Sequence, residues 1–215
     1  MNAALPPAIV PASAIARATG AHALIQLGRE FAAAGWVPAS SGNFSLRLQS
    51  DQVLMTRSGV EKGQLQEDDF LCVDPSQPAP PAASAEAPLH LALYSQQPQI
   101  GCVLHVHSRA AAVLSRLCLA RGDSAVVLEG WELQKALAGQ HTHEAQVCVP
   151  VFANAQDTSA LAQQISAALP AFAGACGYLL AGHGLYAWGR TAAEARRHVV
   201  AFDALFQCQL DLGRT

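Results

Sequence analysis

The stretch Gly101-Cys-Val-Leu-His-Val-His107 carries the strongest indication of both fold and chemistry in this sequence. A short apolar run that begins at a glycine predicts a buried strand, and the pattern of residues 109–120 predicts that a helix follows it. Side chains two residues apart on a strand leave the same face, with backbones about 7 Å apart. His105 and His107 are therefore expected to point together. At that separation two imidazoles can bind one ion through Zn–N bonds of about 2.0–2.1 Å.

The other interpretation of His105 and His107 is a pair of core histidines bonded to backbone groups. For a single histidine that interpretation is the better one. Two imidazoles at the end of a buried strand are costly to bury without a partner, and a metal ion supplies that partner. The pair therefore predicts a metal site.

A third ligand is expected at Gly182-His183-Gly184, between two apolar segments that predict strands. Glycines on both sides permit a tight backbone and the close approach of other groups. Three neutral nitrogen ligands with one open position are typical of a catalytic zinc. Taken alone, the segment would instead indicate a turn with an exposed histidine. A second His-x-His pair, His141 and His143, lies in a polar segment, and we expect it to be exposed or at most to support the ligands.

The rest of the chain predicts helices interleaved with strands, with a hairpin near the start and a tight strand pair near the end. This order favours a mixed or largely antiparallel sheet with helices on its faces. One domain is expected over 1–215, with 1–12 peripheral. The predicted helices are 13–34, 86–96, 109–120, 131–138, 158–169 and 191–212, and the predicted strands are 43–48, 53–56, 70–73, 101–107, 147–152, 178–181 and 185–188. The apolar face of the first helix is expected to hold Ile15, Leu24, Leu27 and Phe31, and one face of the first strand Phe44, Leu46 and Leu48.

Composition limits the classes of function. The chain has 215 residues, of which 51% are hydrophobic and 13% are charged, as suits a globular domain. Its net charge is −3, and its 13 basic residues are scattered, which argues against nucleic acid or a membrane as a partner. No apolar run reaches the roughly 20 residues of a membrane span, and the start lacks the pattern of a signal peptide. We therefore expect a cytoplasmic protein.

The six cysteines never form a Cys-x-x-Cys pair. Four of them, Cys72, Cys102, Cys148 and Cys176, lie in apolar segments that predict strands. We expect these four to be buried, reduced thiols rather than a disulfide framework.

Serine and glycine recur where predicted strands begin or end. Ser40-Ser-Gly-Asn43 precedes one strand, and Ser58-Gly59 follows another. Ser84 precedes a predicted helix whose N-terminus adds positive dipole. Each loop alone is ordinary turn chemistry, but together they predict an anion pocket built from hydroxyls and backbone N–H groups. No GxxxxGK[ST] or GxGxxG motif accompanies them, so ATP and NAD are not expected.

Two carboxylates, Glu86 and Glu132, lie at the starts of predicted helices. Beside a zinc ion, a carboxylate can act as a general acid or base. The other interpretation of each is a residue that offsets the helix dipole.

Taken together, the segments resemble the class II aldolase/adducin family. The matching segments occur in the family's order and span about 21–206. Three more segments resemble the branch that dehydrates 5-methylthioribulose 1-phosphate in methionine salvage. The family segments are Ser40–Ser45, Thr56–Gly59, Ser84–Glu86, His105–His107 and Gly182–Gly184, and the branch segments are Ser58–Gly63, Glu132–Leu137 and Asn154–Asp157.

The resemblance implies a three-layer α/β/α fold around a mostly antiparallel sheet, and a homotetramer with active sites at subunit boundaries. It implies one zinc ion per subunit on His105, His107 and His183. It places the acid/base glutamate of the dehydratase branch at Glu132. Glu86 matches a carboxylate that is catalytic in the aldolase branch, and its role here stays open. The residues expected to hold the substrate phosphate are Ser40, Gly42, Asn43, Ser58, Gly59 and Ser84.

The implied reaction is a dehydration. Zinc would polarise the ketone at C2 and acidify the C3 proton, and Glu132 would give a proton to the hydroxyl that leaves C4. The product would be 2,3-diketo-5-methylthiopentyl 1-phosphate, and the group that takes the C3 proton stays open. The alternatives are a sugar-phosphate aldolase or a pentulose-phosphate 4-epimerase on the same scaffold. A metal-free interaction module similar to the adducin head is disfavoured because that domain lacks the full histidine set.

Overall fold

The computed structural model describes residues 12–49 and 51–213. The predicted peripheral segment 1–12 lies outside this range except for Ala12, which begins the first helix. The helices are α1 (Ala12–Ala33), α2 (Ala87–Gln96), α3 (Arg109–Ala120), α4 (Thr158–Ala168) and α5 (Ala192–Leu212). The strands are β1 (Asn43–Gln49), β2 (Gln52–Thr56), β3 (Phe70–Val73), β4 (Cys102–Val106), β5 (Ala125–Leu128), β6 (Val147–Phe152), β7 (Gly177–Leu180) and β8 (Gly184–Gly189).

The strands form one sheet in the order β3-β2-β1-β4-β8-β7-β6-β5. Neighbouring strands are antiparallel except β6 and β7, which are parallel. The expected mostly antiparallel sheet is therefore confirmed. β4 and β8 lie in its middle, so the two segments that carry the predicted metal ligands are direct neighbours although about eighty residues separate them.

Helices cover both faces of the sheet, which gives the expected three layers. Residues of α1, α3 and α5 pack into one apolar cluster, and residues of α2 and α4 pack into another. The period-2 alternation of β4 divides its side chains between these clusters: Leu104 and Val106 face the first, and Val103 faces the second. His105 lies two residues after Val103 and shares the face covered by α2 and α4.

The structure corrects three details of the predicted elements. The predicted helix 131–138 is the 3-10 turn Glu132–Ala136, and β5 had not been predicted. A four-residue apolar run such as β5 cannot be assigned by periodicity alone. Ile15, predicted on the core face of the first helix, is 56% exposed.

Two of the cysteines predicted as buried, Cys72 and Cys148, are exposed. Cys72 lies on β3, the outermost strand at one end of the sheet. Cys148 lies opposite Val127 of β5 at the other end, and Val127 is 45% exposed as well. The helices therefore leave parts of these outer strands uncovered, whereas Cys102 and Cys176 are buried as predicted.

Within the described residues, no helix combines the length and the apolarity needed to cross a membrane.

Candidate metal centre

The structure brings His183 together with His105 and His107 although it belongs to a different segment of the chain. His105 lies on β4, His107 follows that strand directly, and His183 lies in the turn between β7 and β8. The Nε2 atoms are 2.9 Å apart for His105 and His107, 3.3 Å for His105 and His183, and 3.1 Å for His107 and His183. A tetrahedron with metal–nitrogen bonds of about 2.0–2.1 Å has an edge of about 3.3 Å. The nitrogen spacing therefore fits one metal ion.

The contacts of the Nδ1 atoms show which tautomers His105 and His183 adopt. His105 Nδ1 is 3.0 Å from the carbonyl oxygen of Leu185, and His183 Nδ1 is 3.3 Å from Oδ1 of Asn154. Both partners only accept hydrogen bonds, so each Nδ1 carries the proton and each Nε2 keeps its lone pair. Two lone pairs that face each other cannot form a hydrogen bond. A cation between them removes the conflict, and this arrangement is typical of metal-binding histidines.

A carboxylate completes the cluster. Oε1 of Glu86 is 2.9 Å from His183 Nε2, and Oε2 is 3.5 Å from His105 Nε2. The donor atoms of the four residues all lie within 4.8 Å of one another. Imidazole nitrogens and a carboxylate oxygen are the donors that transition metals such as zinc accept. The cluster therefore has the chemistry to hold a divalent cation.

Protonation favours the metal-binding form of the cluster. Burial lowers the pKa of His105 well below its usual value and that of His107 to about 4, so both rings are neutral at pH 7. Burial raises the pKa of Glu86, but the neighbouring imidazoles and the Asn43 amide outweigh it and hold that pKa well below its usual range. The neutral rings of His105 and His107 and the ionised carboxylate of Glu86 suit a divalent cation, whose charge the carboxylate balances in part.

Aromatic rings support His105 from the neighbouring strands. Tyr186 of β8 lies opposite His105, and Tyr178 of β7 lies opposite Tyr186. The rings of His105 and Tyr186 are stacked at 4.0 Å, and those of Tyr186 and Tyr178 at 4.8 Å. All three side chains are fully buried. Cross-strand stacking therefore restricts the orientation of the His105 ring.

The serine–glycine loops meet the same cluster in a cleft of about 280 Å³. All six residues expected to hold a phosphate line this cleft. The lining residues are Ser40, Ser41, Gly42, Asn43, Arg57, Ser58, Gly59, Lys62, Ser84, Ala85, Glu86, His107 and His183.

Hydrogen bonds connect these loops to the metal cluster. The Asn43 amide donates to Glu86 Oε2 and to Ser84 Oγ, the latter at 3.3 Å. Ser84 Oγ in turn accepts the backbone N–H of Glu86 at 3.2 Å. The first loop also passes close to β4: a Cβ on Gly42 would meet the carbonyl oxygen of His105 at 2.7 Å. Glycine at this position, with φ of 74°, therefore lets the loop approach the metal ligands.

Glu132 does not join the cluster within this chain. Its side chain is 72% exposed, accepts a hydrogen bond from Lys135 and lies 3.6 Å from His143 Nδ1. The hydrogen bond from Lys135 lowers its pKa. Glu132 is not among the residues that line the cleft. The second His-x-His pair, His141 and His143, is exposed, as predicted.

Comparison with known proteins identifies the family. The family model described as "Class II Aldolase and Adducin N-terminal domain" matches residues 22–210. The chain belongs to this family. It is 52% identical over 201 residues to a methylthioribulose-1-phosphate dehydratase of Bradyrhizobium sp. (strain BTAi1 / ATCC BAA-1182), with 91% of this chain and 92% of the relative covered. It is 51% identical to a dehydratase of the same name from Stenotrophomonas maltophilia (strain K279a), with 90% and 91% covered.

A solved aldolase has the same fold. The L-fuculose-1-phosphate aldolase from Thermus thermophilus superposes with a TM-score of 0.73 at 28% identity, covering 90% of this chain and 93% of that chain. The resemblance inferred from the motifs is therefore confirmed at the level of family and fold.

Sequence reasoning did not assign three residues that contribute to this site: Asn154, Tyr186 and Lys62. Asn154 holds His183, Tyr186 stacks on His105, and Lys62 lines the cleft. Asn154 and Lys62 lie in segments that resemble the dehydratase branch, so their positions had been marked without a role. Tyr186 had a weaker signal, as one aromatic residue in an apolar strand.

Proposed function

We propose that this chain is a zinc-dependent dehydratase, a carbon–oxygen lyase that converts 5-methylthioribulose 1-phosphate to 2,3-diketo-5-methylthiopentyl 1-phosphate in methionine salvage. The observation that carries the proposal is the convergence of a four-donor metal cluster and the serine–glycine loops on one cleft. Its relatives named methylthioribulose-1-phosphate dehydratase, at about 50% identity over nearly their whole length, support this substrate over other phosphorylated sugars.

The cation belongs on His105, His107 and His183, with one zinc ion per subunit. Three imidazoles favour zinc among the common divalent metals. When bound, the cation supplies Lewis acidity that polarises the substrate's ketone and stabilises the negative charge that develops beside it. We assign Glu86 to balancing the charge of the cation, because its carboxylate oxygens lie 2.9 Å from His183 Nε2 and 3.5 Å from His105 Nε2.

The phosphate belongs at the other wall of the cleft. Ser40, Ser58 and Ser84 offer hydroxyls, and Gly42 and Gly59 offer backbone N–H groups without the obstruction of a side chain. Asn43 stands between this wall and Glu86, so it ties the position of the phosphate loops to that of the metal cluster.

Glu132 is proposed to donate the proton to the leaving hydroxyl from an adjacent subunit. In its own chain it is exposed and off the cleft, so the role requires the homotetramer with sites at subunit boundaries that the resemblance implies. Mixed oligomers test this arrangement. If Glu132 acts across the boundary, inactive Glu132→Gln subunits that are unfolded and reassembled with inactive His107→Ala subunits will regain part of the activity. If it acts within its own chain, no mixed site contains both intact residues, and the mixture stays inactive.

The single domain over 1–215 and the cytoplasmic location also stay predictions. The first is supported by one continuous sheet with helices on both faces.

Turnover of methylthioribulose 1-phosphate by the purified protein tests the proposed reaction, with diketone formation and bound metal recorded on the same sample. We expect diketone and about one zinc ion per chain. Zinc without diketone would reject the reaction and favour the sugar-phosphate aldolase, which the similarity to the fuculose-phosphate enzyme supports, or the 4-epimerase. Two shorter fragments would identify the aldolase. A protein without any metal would reject the metal centre.

A further inference from the structure

Lys62 is a buried cation with no role in the site as described so far. It begins the 3-10 turn Lys62–Gln64 after β2, and only 2% of its surface is exposed. Lysine is almost never buried to this degree without a partner, because removing an ammonium group from water is costly. Its position therefore requires an explanation from its surroundings.

The Lys62 ammonium joins the two main phosphate loops. Its Nζ donates to the carbonyl oxygen of Ser40 at 2.6 Å and to that of Val60 at 2.7 Å. Ser40 belongs to the loop before β1, and Val60 follows the Ser58–Gly59 loop. Ser40 has φ of 60°, in the left-handed region that a serine seldom occupies. The Lys62 hydrogen bond thus fixes a carbonyl in an unusual backbone conformation and holds one loop against the other.

The same ammonium also borders the cleft. Lys62 lines it together with the serines of both loops. Burial lowers the pKa of Lys62, and the carboxylates of Glu61 and Glu86 counteract this effect. An ammonium group has three N–H donors, and carbonyl oxygens take two of them. One N–H donor remains for a further partner.

We propose that Lys62 binds the substrate's phosphate, with its third N–H and its fixed positive charge selecting a dianionic phosphomonoester over an uncharged sugar. This inference rests on the proposed phosphate pocket and adds the charge that hydroxyls and backbone N–H groups lack. Arg57 is the other cation that lines the cleft. Its Nε donates to the carbonyl oxygen of Asp68 at 3.0 Å in an exposed setting, so Lys62 is the better-desolvated charge. Hydrogen bonds to charged groups are stronger where water is excluded.

Inorganic phosphate is the probe for a first test, in calorimetric titrations of the zinc-loaded protein. Lys62→Met keeps the length of the apolar stem but removes the charge and the donors. We expect its Kd for phosphate to rise roughly 10- to 100-fold, in line with the loss of a charge-assisted hydrogen bond. The KM for the phosphorylated substrate should rise by more than kcat falls, with zinc content unchanged. Arg29→Met, which removes an exposed cation that does not line the cleft, is the matched control, and we expect its Kd for phosphate to change less than about threefold. Equal losses in the two variants would overturn the proposal.

A second test needs no mutation and so does not depend on the folding of a variant. The chain has only two lysines, Lys62 and Lys135. Protein labelled with ¹⁵N-lysine therefore gives two ammonium signals in NMR spectra, one buried and one exposed. Adding phosphate should shift the Lys62 signal saturably, with the calorimetric Kd, and leave Lys135 unmoved.

Three outcomes of the NMR and calorimetric tests distinguish a failure of the Lys62 proposal from a failure of the proposed function. Phosphate that binds by calorimetry without moving the Lys62 signal would refute the role of Lys62 while sparing the pocket. No phosphate binding at all would refute both. A shifted Lys62 signal in a protein that forms no diketone would support the anion site and count against the proposed reaction.

Discussion

The chain contains two His-x-His pairs with the same spacing but different surroundings. His105 and His107 continue a central strand, and His105 is fully buried. His141 and His143 lie in an irregular segment with both rings exposed. The first pair has a third histidine and a carboxylate within 4.8 Å. The second pair has a contact of 3.6 Å between His143 and the exposed Glu132.

The difference shows that metal binding depends more on the contacts that hold the two histidines in place than on their spacing in the sequence. The strand fixes the backbone of the first pair, since β4 is hydrogen-bonded on both sides and the His107 N–H donates to the carbonyl oxygen of Trp36 at 2.8 Å. The Leu185 carbonyl sets the tautomer of His105, and Tyr186 sets its ring plane. A pair without fixed backbone and fixed rings would lose side-chain entropy on binding a metal, which lowers its affinity.

The largest effect is expected from removing one histidine of each pair. His107→Ala should lose more than about 100-fold in zinc affinity, beyond the 10- to 100-fold loss typical of a residue that only supports a ligand, and should lose turnover with it. His143→Ala should keep its zinc. Metal analysis after dialysis and competition with a chromophoric chelator measure both. Loss of zinc from His143→Ala would contradict the conclusion that only the first pair binds the metal.

The next largest effect is expected from Glu132, the carboxylate beside the exposed histidine pair. Glu132→Gln should reduce kcat by roughly 100- to 10,000-fold, the usual contribution of a general acid, and should leave zinc bound. Glu144→Gln, a nearby exposed carboxylate, is the control and should keep its activity. Near-normal turnover by Glu132→Gln would remove Glu132 from the mechanism.

A buried histidine and an exposed one should also differ in how stability depends on pH. Burial lowers the pKa of His90 to about 4 from 6.5. Between these two pH values the unfolded chain binds a proton at this residue and the folded chain does not. Its contribution to stability is therefore full above pH 6.5 and is lost as the pH falls towards 4, by about 2 kcal/mol at pH 5. Urea unfolding of His90→Gln between pH 7 and pH 5 should show a correspondingly smaller decrease. His141→Gln should follow the original protein, and parallel curves for all three would refute the assignment.

Removing the support of a ligand should have a smaller effect than removing the ligand. Asn154 accepts from His183 Nδ1 at 3.3 Å in an exposed position, so we expect Asn154→Ala to lose about tenfold in zinc affinity, the low end for such residues. Gln156→Ala, two residues further along the same exposed loop, should change nothing measurable. An unchanged affinity in Asn154→Ala would mean that the turn alone orients His183.

The smallest effect should come from the hydroxyl of Tyr186. The buried oxygen makes no close hydrogen bond among the described residues and interacts only weakly with the Glu86 carboxylate, so Tyr186→Phe should change the free energy of unfolding by less than about 1 kcal/mol and leave zinc affinity nearly intact. Tyr186→Leu removes the stacked ring and should weaken zinc binding. If both variants weaken it equally, the hydroxyl and not the ring plane matters.

Much of the fold could be predicted from local pattern. The alternation of Phe44, Leu46 and Leu48 indicated a strand with one buried face, and all three pack into the cluster on that face. The bounds of α3 match the prediction, because an apolar stripe and a capping serine mark that helix. β5 was missed because its four residues gain their structure from pairing with β6 rather than from their own pattern.

The sequence by itself determined the family, the order of most elements and the histidines that could bind a metal, because these depend on residue type and spacing along the chain. Only the tertiary structure decided which atoms meet. It placed His183 beside His105 through the pairing of β4 with β8, inserted Glu86 between Asn43 and His183, and joined two loops through Lys62. It also left Glu132 outside the cleft of its own chain. Convergence of this kind depends on register and packing between segments far apart in sequence, and no local pattern encodes it.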